Sequence, residues 1–286
     1  MPVEPVHKQF HTDRSFPFDL VYKATKQSGE ELPHHLHDWC ELIYVYRGAG
    51  HFFIDQTLYD MHPGDLFIIP EDTIHRAFPD SLNPVTSTAL FFNPLFVSPA
   101  VAGDTFSYLQ PFEQGKLLKS YKLQCQPLFR TKLEEQLALI REELLLKRSD
   151  YQQAVSLQLQ WLLFALIRET GPQLPFSGSK DAPVWMQDIL REIDTRLFED
   201  IGLAALAKQA AVSPAHFSRV FKQRTGINVT GYITTKRIIH AKELLRLKDA
   251  SVSSIAVACG FESLPHFYRV FKKITGVTPA LFRREH

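Results

Sequence analysis

AHFSRVFKQRTG (Ala215–Gly226) returns fifty positions later as PHFYRVFKKITG (Pro265–Gly276), with His, Phe, Arg, Val, Phe, Lys, Thr and Gly each repeated in place. Each copy follows a short helical run, LAALAKQAAVS from Leu203 and VSSIAVACGFES from Val252. The chain therefore carries two versions of one unit. In the first, Leu203, Leu206 and Ala207 keep a helical apolar period, Val212 closes a turn, and Ser213 caps a helix with Pro214 at its first position. Phe217, Val220 and Phe221 then fall on one face, and Gly226 stops the helix. The second unit repeats the plan with Ile255, Cys259 and Phe261, Ser263 as cap, Phe267, Val270 and Phe271 as the apolar face, and Gly276 as the stop. Its turn, CGFES, is one residue longer, so the offset between copies is 49 before the turn and 50 after it.

The outer face of each second helix is polar and basic: His216, Ser218, Arg219 and Lys222 in one, His266, Tyr268, Arg269, Lys272 and Lys273 in the other. Such a face suits the major groove, where arginine bonds guanine edges and lysine meets phosphate. A helical hairpin with a solvated charged face is the plain alternative for one unit, and two matching units argue against it. Charge agrees. From Leu203 onward there are 14 Lys and Arg against 4 Asp and Glu, whereas residues 1–182 hold 16 against 22. The net charge of +1 hides a polarised molecule with a basic half of the kind that binds nucleic acid.

These repeats resemble the double helix-turn-helix of the AraC/XylS family of bacterial transcription regulators, over roughly the last hundred residues. The resemblance implies promoter DNA as partner, with RNA polymerase a second one if the regulator is an activator. It makes the second helix of each unit the recognition helix, with Ala215, Ser218 and Arg219, and then Leu264, His266, Tyr268 and Arg269, at the base-reading places. Ala215 and Leu264 are apolar and suit a thymine methyl group. A long helix joins the units in that family, and Thr230–Lys248 has the length and period for it. At about 1.5 Å per residue it spans somewhat under 30 Å, shorter than the roughly 34 Å between successive major grooves on one face, so insertion of both units is expected to bend the DNA.

A chain of 286 residues with 45% hydrophobic content suits two domains. Boundaries are expected at 1–170 for a sensing and dimerisation domain, 171–183 for a linker rich in glycine, proline and serine, and 184–286 for the DNA-binding half. VWMQDILREIDTRLF (Val184–Phe198) opens that half with Trp185, Ile189, Ile193 and Leu197 facing inward. The polar N-terminus, the lack of any membrane-length apolar run, and three widely spaced cysteines (Cys40, Cys125, Cys259) point to a reduced cytoplasm and no membrane partner.

From Leu20 to about Asn93 the pattern becomes short apolar runs with turn signals, among them ELIYVYRGAGHFFID, PGDLFIIP and TSTALFFNP. Six or more strands without intervening helices suggest a small antiparallel barrel or jelly roll. The stretch resembles the cupin fold. Gly29, five residues, His35-x-His37, three residues, Glu41, six residues and Gly48 follow its first signature; Gly64, five residues, Pro70 and then His75 follow the second. Asp72 stands where that signature usually has glycine, and Pro79 where it usually has asparagine. The expected fold is thus α+β in two domains, a cupin-like β-barrel with a helical dimerisation hairpin and an all-α double helix-turn-helix.

His35, His37, Glu41 and His75 are expected to converge inside the barrel, Glu41 sharing a face with the first two if the strand runs regularly between them. Three imidazoles and a carboxylate suit a divalent metal such as Mn, Fe, Ni or Zn; alternatively they hydrogen-bond a bound sugar or one another. The resemblance implies a sugar or related metabolite as effector, with Trp39 and Tyr44 as further candidate ligand residues and Tyr46, Phe52, Phe67 and Phe91 lining the interior. His34 and His62 lack the spacing and are expected at the surface. Farther on, Leu133, Leu137, Ile140 and Leu144 form a narrow seam suited to an antiparallel coiled coil in a homodimer, or to packing on the barrel of the same chain. A second helix, Tyr151–Glu169, is expected to be mostly buried, Trp161 and Phe164 included. The function that follows is a DNA-binding regulator without catalysis. The alternative is a metal-dependent cupin enzyme, a dioxygenase or isomerase, fused to a DNA-binding module.

Overall fold

Period-two alternation builds the N-terminal half and 3.6-residue periodicity the rest, in a computed structural model that describes residues 6–10, 15–27, 29, 33–97, 106–170, 184–247 and 250–285. The strands are β1 (Val6–His7), β2 (Phe18–Lys26), β3 (His35–Leu36), β4 (Cys40–Arg47), β5 (Gly50–Ile54), β6 (Thr57–Met61), β7 (Asp65–Ile69), β8 (His75–Pro79), β9 (Val85–Phe92) and β10 (Lys122–Gln124). They make two five-stranded sheets, ordered β1-β3-β8-β5-β6 and β10-β7-β4-β9-β2. The two sheets face each other as an open jelly-roll sandwich, and no ladder among the described residues joins one to the other. The runs read as successive strands around Gly48 belong to different sheets: β4 pairs with β7 and β9, β5 with β6 and β8.

Alternation then sorts the side chains into layers. Ile43, Val45, Phe52, Ile54, Phe67, Ile69 and Phe91 meet between the sheets. Leu42, Tyr44, Leu66, Ile68 and Leu90 face outward from the second sheet and are covered by helices. These are α1 (Gln110–Leu118), α2 (Pro127–Leu146) and α3 (Tyr151–Thr170). The leucine seam lies here. Leu133, Leu137 and Ile140 are at most 2% exposed inside this intrachain core, so the seam serves the barrel of its own chain. Burying each such side chain stabilises by about 1.5–3 kcal/mol, and the uncovered sheet face offers that area first. The expectation for α3 needs the opposite correction. Leu159, Leu162 and Leu166 are buried, but Leu157, Trp161 and Phe164 are 57%, 46% and 41% exposed at i, i+4 and i+7.

The C-terminal half comprises α4 (Val184–Thr195), α5 (Leu203–Gln209), α6 (Pro214–Thr225), α7 (Val229–Leu247), α8 (Val252–Ala258), α9 (Leu264–Thr275) and α10 (Pro279–Glu285). Met186, Ile189, Phe217, Phe221 and Tyr232 pack on Phe53, Leu58 and Ile74, the outer face of the first sheet. Leu36 enters the core of the second unit, among Ile238, Ala241, Leu245, Ile255, Phe267 and Phe271. The C-terminal half thus covers one sheet as α2 and α3 cover the other. The interdomain linker expected at 171–183 falls outside the described residues. All three cysteines are buried and unpaired. Among the described residues no helix is long and apolar enough to cross a membrane.

Candidate functional site: a DNA-reading face and a histidine–glutamate centre

Both α6 and α9 are built as their sequences dictate. Ser213 and Ser263 accept from the backbone N–H of His216 and His266 at the two N-termini, each followed by proline or a leucine-proline pair. Gly226 (φ +72°) and Gly276 (φ +82°) end α6 and α9 in the left-handed conformation. Phe217, Phe221, Phe267 and Phe271 are fully buried, which turns the polar residues outward. Ala215, His216, Arg219, Lys222, Leu264, His266, Tyr268, Arg269, Lys272 and Lys273 are all exposed, and Ser218 is half-buried. Arg219 donates to the His216 ring at 3.3 Å, a contact within the exposed face. The two units are braced by Arg237 of α7, whose guanidinium donates to the carbonyls of Leu197, Glu199 and Gly260.

The second site lies between the sheets. His35 and His75 are register partners on β3 and β8, and Glu41 pairs with Ile69 and Phe91 in the opposite sheet. The strand is not regular from His35 to Glu41: the chain crosses from one sheet to the other at 37–39, and that crossing brings the carboxylate opposite the imidazoles. One ligand atom from each of His35, His37, Glu41 and His75 lies within 4.8 Å of the others, and all four residues are buried. Glu41 Oε2 is 3.1 Å from His37 Nε2 and 3.0 Å from His75 Nε2.

The imidazole tautomers are fixed by what surrounds them. Nδ1 of His35, His37 and His75 meets the carbonyls of Pro33, Trp39 and Thr73 at 2.9, 2.8 and 2.8 Å. A carbonyl can only accept, so each Nδ1 carries the proton and each Nε2 presents a lone pair inward when the ring is neutral. Burial, and then the neighbouring His75, hold His35 well below the ordinary histidine range, and burial lowers His37. Burial raises Glu41, but hydrogen bonds and charge from His37 and His75 outweigh it and keep the carboxyl well below the usual range. Each Nε2 therefore faces the Glu41 carboxylate: a neutral ring brings a lone pair there, and a ring that donates to Glu41 carries a proton on both nitrogens, so the buried set calls for a cation or shared protons at its centre.

Other candidates are placed differently. Trp39 belongs to the same core and stacks on Phe10 at 4.2 Å, while Phe10 also meets the ring edge of His37 at 5.5 Å. Tyr44 does not join the centre. It points from the far face of β4 and donates to Glu134 at 2.7 Å, because it is an odd number of residues from Glu41. Tyr46, with its hydroxyl accepting from Thr88, shares that outer environment. Phe52, Phe67 and Phe91 pack together as core. His62 is exposed as expected, but His34 is 1% exposed beneath Gly226, where a Cβ would strike its ring. The crowd around Gly226 only exists in the folded chain, so spacing could not reveal it.

Further residues, of which the sequence had marked only Asp72, gather around the centre. In the N-terminal arm Val6 pairs with His35, Lys8 lies 3.5 Å over the Phe91 ring, and the His7 ring is 3.2 Å from Asp38. Lys242 of α7, 1% exposed, reaches Asp38 at 2.7 Å and also bonds Asp72. Asp72 has φ +59°, which explains why the cupin signature favours glycine there. Its departure from the signature was the visible trace of this ion pair.

Comparison with known proteins speaks to the two halves of the chain. A family model for the AraC-like ligand-binding domain matches residues 17–167, and one for a helix-turn-helix domain matches residues 206–285. The chain is 28% identical over 268 residues to the uncharacterized HTH-type transcriptional regulator YdiP of Escherichia coli K12, covering 89% of this chain and 82% of that one. It is 27% identical over 272 residues to the HTH-type transcriptional activator RhaR of Escherichia coli, covering 92% and 91%. The solved structure of ToxT from Vibrio cholerae is similar at 12% identity and a TM-score of 0.37, over 94% of this chain and 98% of that one. With a ligand-binding domain of that type over more than half its length and a double helix-turn-helix behind it, the chain belongs to the AraC family of transcription regulators.

Proposed function

We propose that this regulator reads two DNA half-sites through α6 and α9 and that its histidine–glutamate centre takes a divalent metal. Arg219 and Arg269 are the base readers in this proposal, and Lys222, Lys272 and Lys273 meet phosphate. The observation that carries the metal is the orientation of the rings: each Nδ1 is spent on a backbone carbonyl, so three Nε2 atoms, each a lone pair once its ring is neutral, converge on a carboxylate. That is the second-coordination pattern of metal-binding histidine, and four donors within 4.8 Å need only a small contraction to reach metal-ligand distances of about 2.1 Å. His35, His37, His75 and Glu41 would hold the ion, and Mn, Fe, Ni and Zn all suit such ligands. The ion would neutralise the buried carboxylate and fix the loops that bear the histidines.

The relatives are named as regulators, and the proposal assigns the metal to sensing and structure, with no turnover. The effector is a small molecule, for which a sugar or related metabolite is the working candidate. We place the protein in the cytoplasm, in keeping with three unpaired buried thiols. The exposed stripe Leu157, Trp161 and Phe164 on α3 is assigned to a second copy, in place of the buried seam. Metal analysis of the purified chain tests the centre. Near-stoichiometric divalent metal is expected in the wild type and loss of it in Glu41→Gln; an equal, substoichiometric content in both contradicts the metal. Oxygen uptake or sugar isomerisation by the metal-loaded chain would contradict the non-enzymatic assignment.

A further inference from the structure

The two segments that carry the histidines also hold the DNA-binding half. In 34–38 the side chains alternate: His35 and His37 enter the centre, whereas Leu36 is fully buried against α7 and the second unit and Asp38 bonds Lys242. His34, on the same side as Leu36, lies under the cap of α6. The segment 71–75 repeats this. His75 enters the centre, Asp72 bonds Lys242, and Arg246 lies 3.6 Å from Glu71 and 3.7 Å from Asp72. The Asp72 N–H donates to the carbonyl of His37 at 2.8 Å, tying the segments together. Lys242 is nearly inaccessible, and the two aspartates are the partners that compensate its charge.

We infer that the histidine–glutamate centre and the docking of the DNA-binding half on the sensor domain are one coupled unit, with Lys242 as its clasp. The inference rests on the proposal that the centre takes a divalent metal. The docked arrangement is the one in which the four ligands stand assembled. A metal therefore binds it more tightly than an undocked arrangement in which 34–38 and 71–75 lose their fixed ends. Linkage makes the effect reciprocal: metal favours docking by the same factor by which docking favours metal. Lys242 is thus a positioning residue for a metal site it does not touch.

Titration of the full-length chain with Co²⁺ followed by calorimetry, together with hydrogen exchange of the α7 amides with and without Co²⁺, tests this. Lys242→Met is expected to weaken Co²⁺ binding by about tenfold or more, the size of effect seen when the outer support of a metal site is removed. Co²⁺ is expected to slow exchange in α7 of the wild type and to leave Glu41→Gln unchanged. Asp38→Asn, at a side chain 37% exposed, should weaken Co²⁺ in the same direction and serves if Lys242→Met does not fold. Wild-type binding of Co²⁺ with equal affinity in the clasp variants, and α7 exchange indifferent to metal, would overturn the coupling alone. No Co²⁺ binding by the wild type would overturn the metal proposal and the coupling with it.

Discussion

At the scale of single residues, the two helix-turn-helix copies differ in an informative place. The turn of the second unit uses Gly260 at φ +75°, whereas the equivalent position of the first is Ala211 at φ +55°. A left-handed alanine costs about 1 kcal/mol, its side chain is exposed, and glycine would remove the strain. Ala211→Gly is expected to raise stability by about 1 kcal/mol less the chain entropy that glycine adds, read as a higher urea midpoint. A lower midpoint would show that the turn is not strained. The exposed face makes a second prediction. Arg219→Ala should cost about 1–3 kcal/mol on a specific operator and relax specificity, while Lys222→Ala should weaken all sequences alike. Equal losses on specific and random duplexes for both variants would remove the base-reading assignment. The exposure of these residues was legible because the repeat fixes which side of each helix is buried. The roles of Lys242, Asp38 and Asp72 were not, since they depend on α7 meeting two loops 204 and 170 positions away.

At the scale of elements, α2 and α3 show what periodicity decides and what it leaves open. The spacing of Leu133, Leu137, Ile140 and Leu144 specifies an apolar stripe but not its partner. The outer face of the second sheet, with Leu42, Leu66 and Leu90, is the partner found. Leu137→Ala is therefore expected to destabilise the monomer's fold by about 2–5 kcal/mol, by loss of burial and a cavity. If the exposed stripe on α3 pairs two copies as proposed, Trp161→Glu should leave the fold intact and shift sedimentation from dimer to monomer. A Leu137→Ala chain that keeps its stability but loses its dimer would return the seam to the interface. The cupin signature behaved likewise. It located all four residues of the centre, yet the convergence comes from the chain switching sheets at 37–39, which alternation along one strand does not express. Tyr44 left the site for the same reason, being on the outer face of β4.

At the scale of the molecule, the sensor and the DNA-binding half meet through charges as well as apolar side chains. Asp55 accepts from Lys236 at 2.7 Å, Lys119 at 3.0 Å and Tyr121 at 3.1 Å, and its carbonyl accepts from Tyr232 at 2.9 Å. Burial raises this carboxyl, but Lys236 and Lys119 outweigh it and hold it below its ordinary value of 3.8. A lowered folded value means that the contribution is full above about 3.8 and is lost as pH falls through the folded value. Asp55→Asn, which leaves Lys236 buried beside fewer charges, is expected to cost about 3 kcal/mol at neutral pH and to flatten the acid limb of the stability curve. An unchanged acid limb would remove Asp55 from the interface account. The connection between units sets the geometry on DNA: α7 has 19 residues, about 28 Å at 1.5 Å per residue, against roughly 34 Å between successive major grooves. The most direct measurement is selection of duplexes from a random pool by the full-length chain, followed by footprinting and circular-permutation mobility on the enriched sequence. Two protected half-sites about one helical turn apart on a bent duplex, the first lost in Arg219→Ala and the second in Arg269→Ala, are expected. No enriched sequence at low salt, or a straight duplex with protection that neither arginine affects, would contradict the assignment of these two helices as the DNA readers.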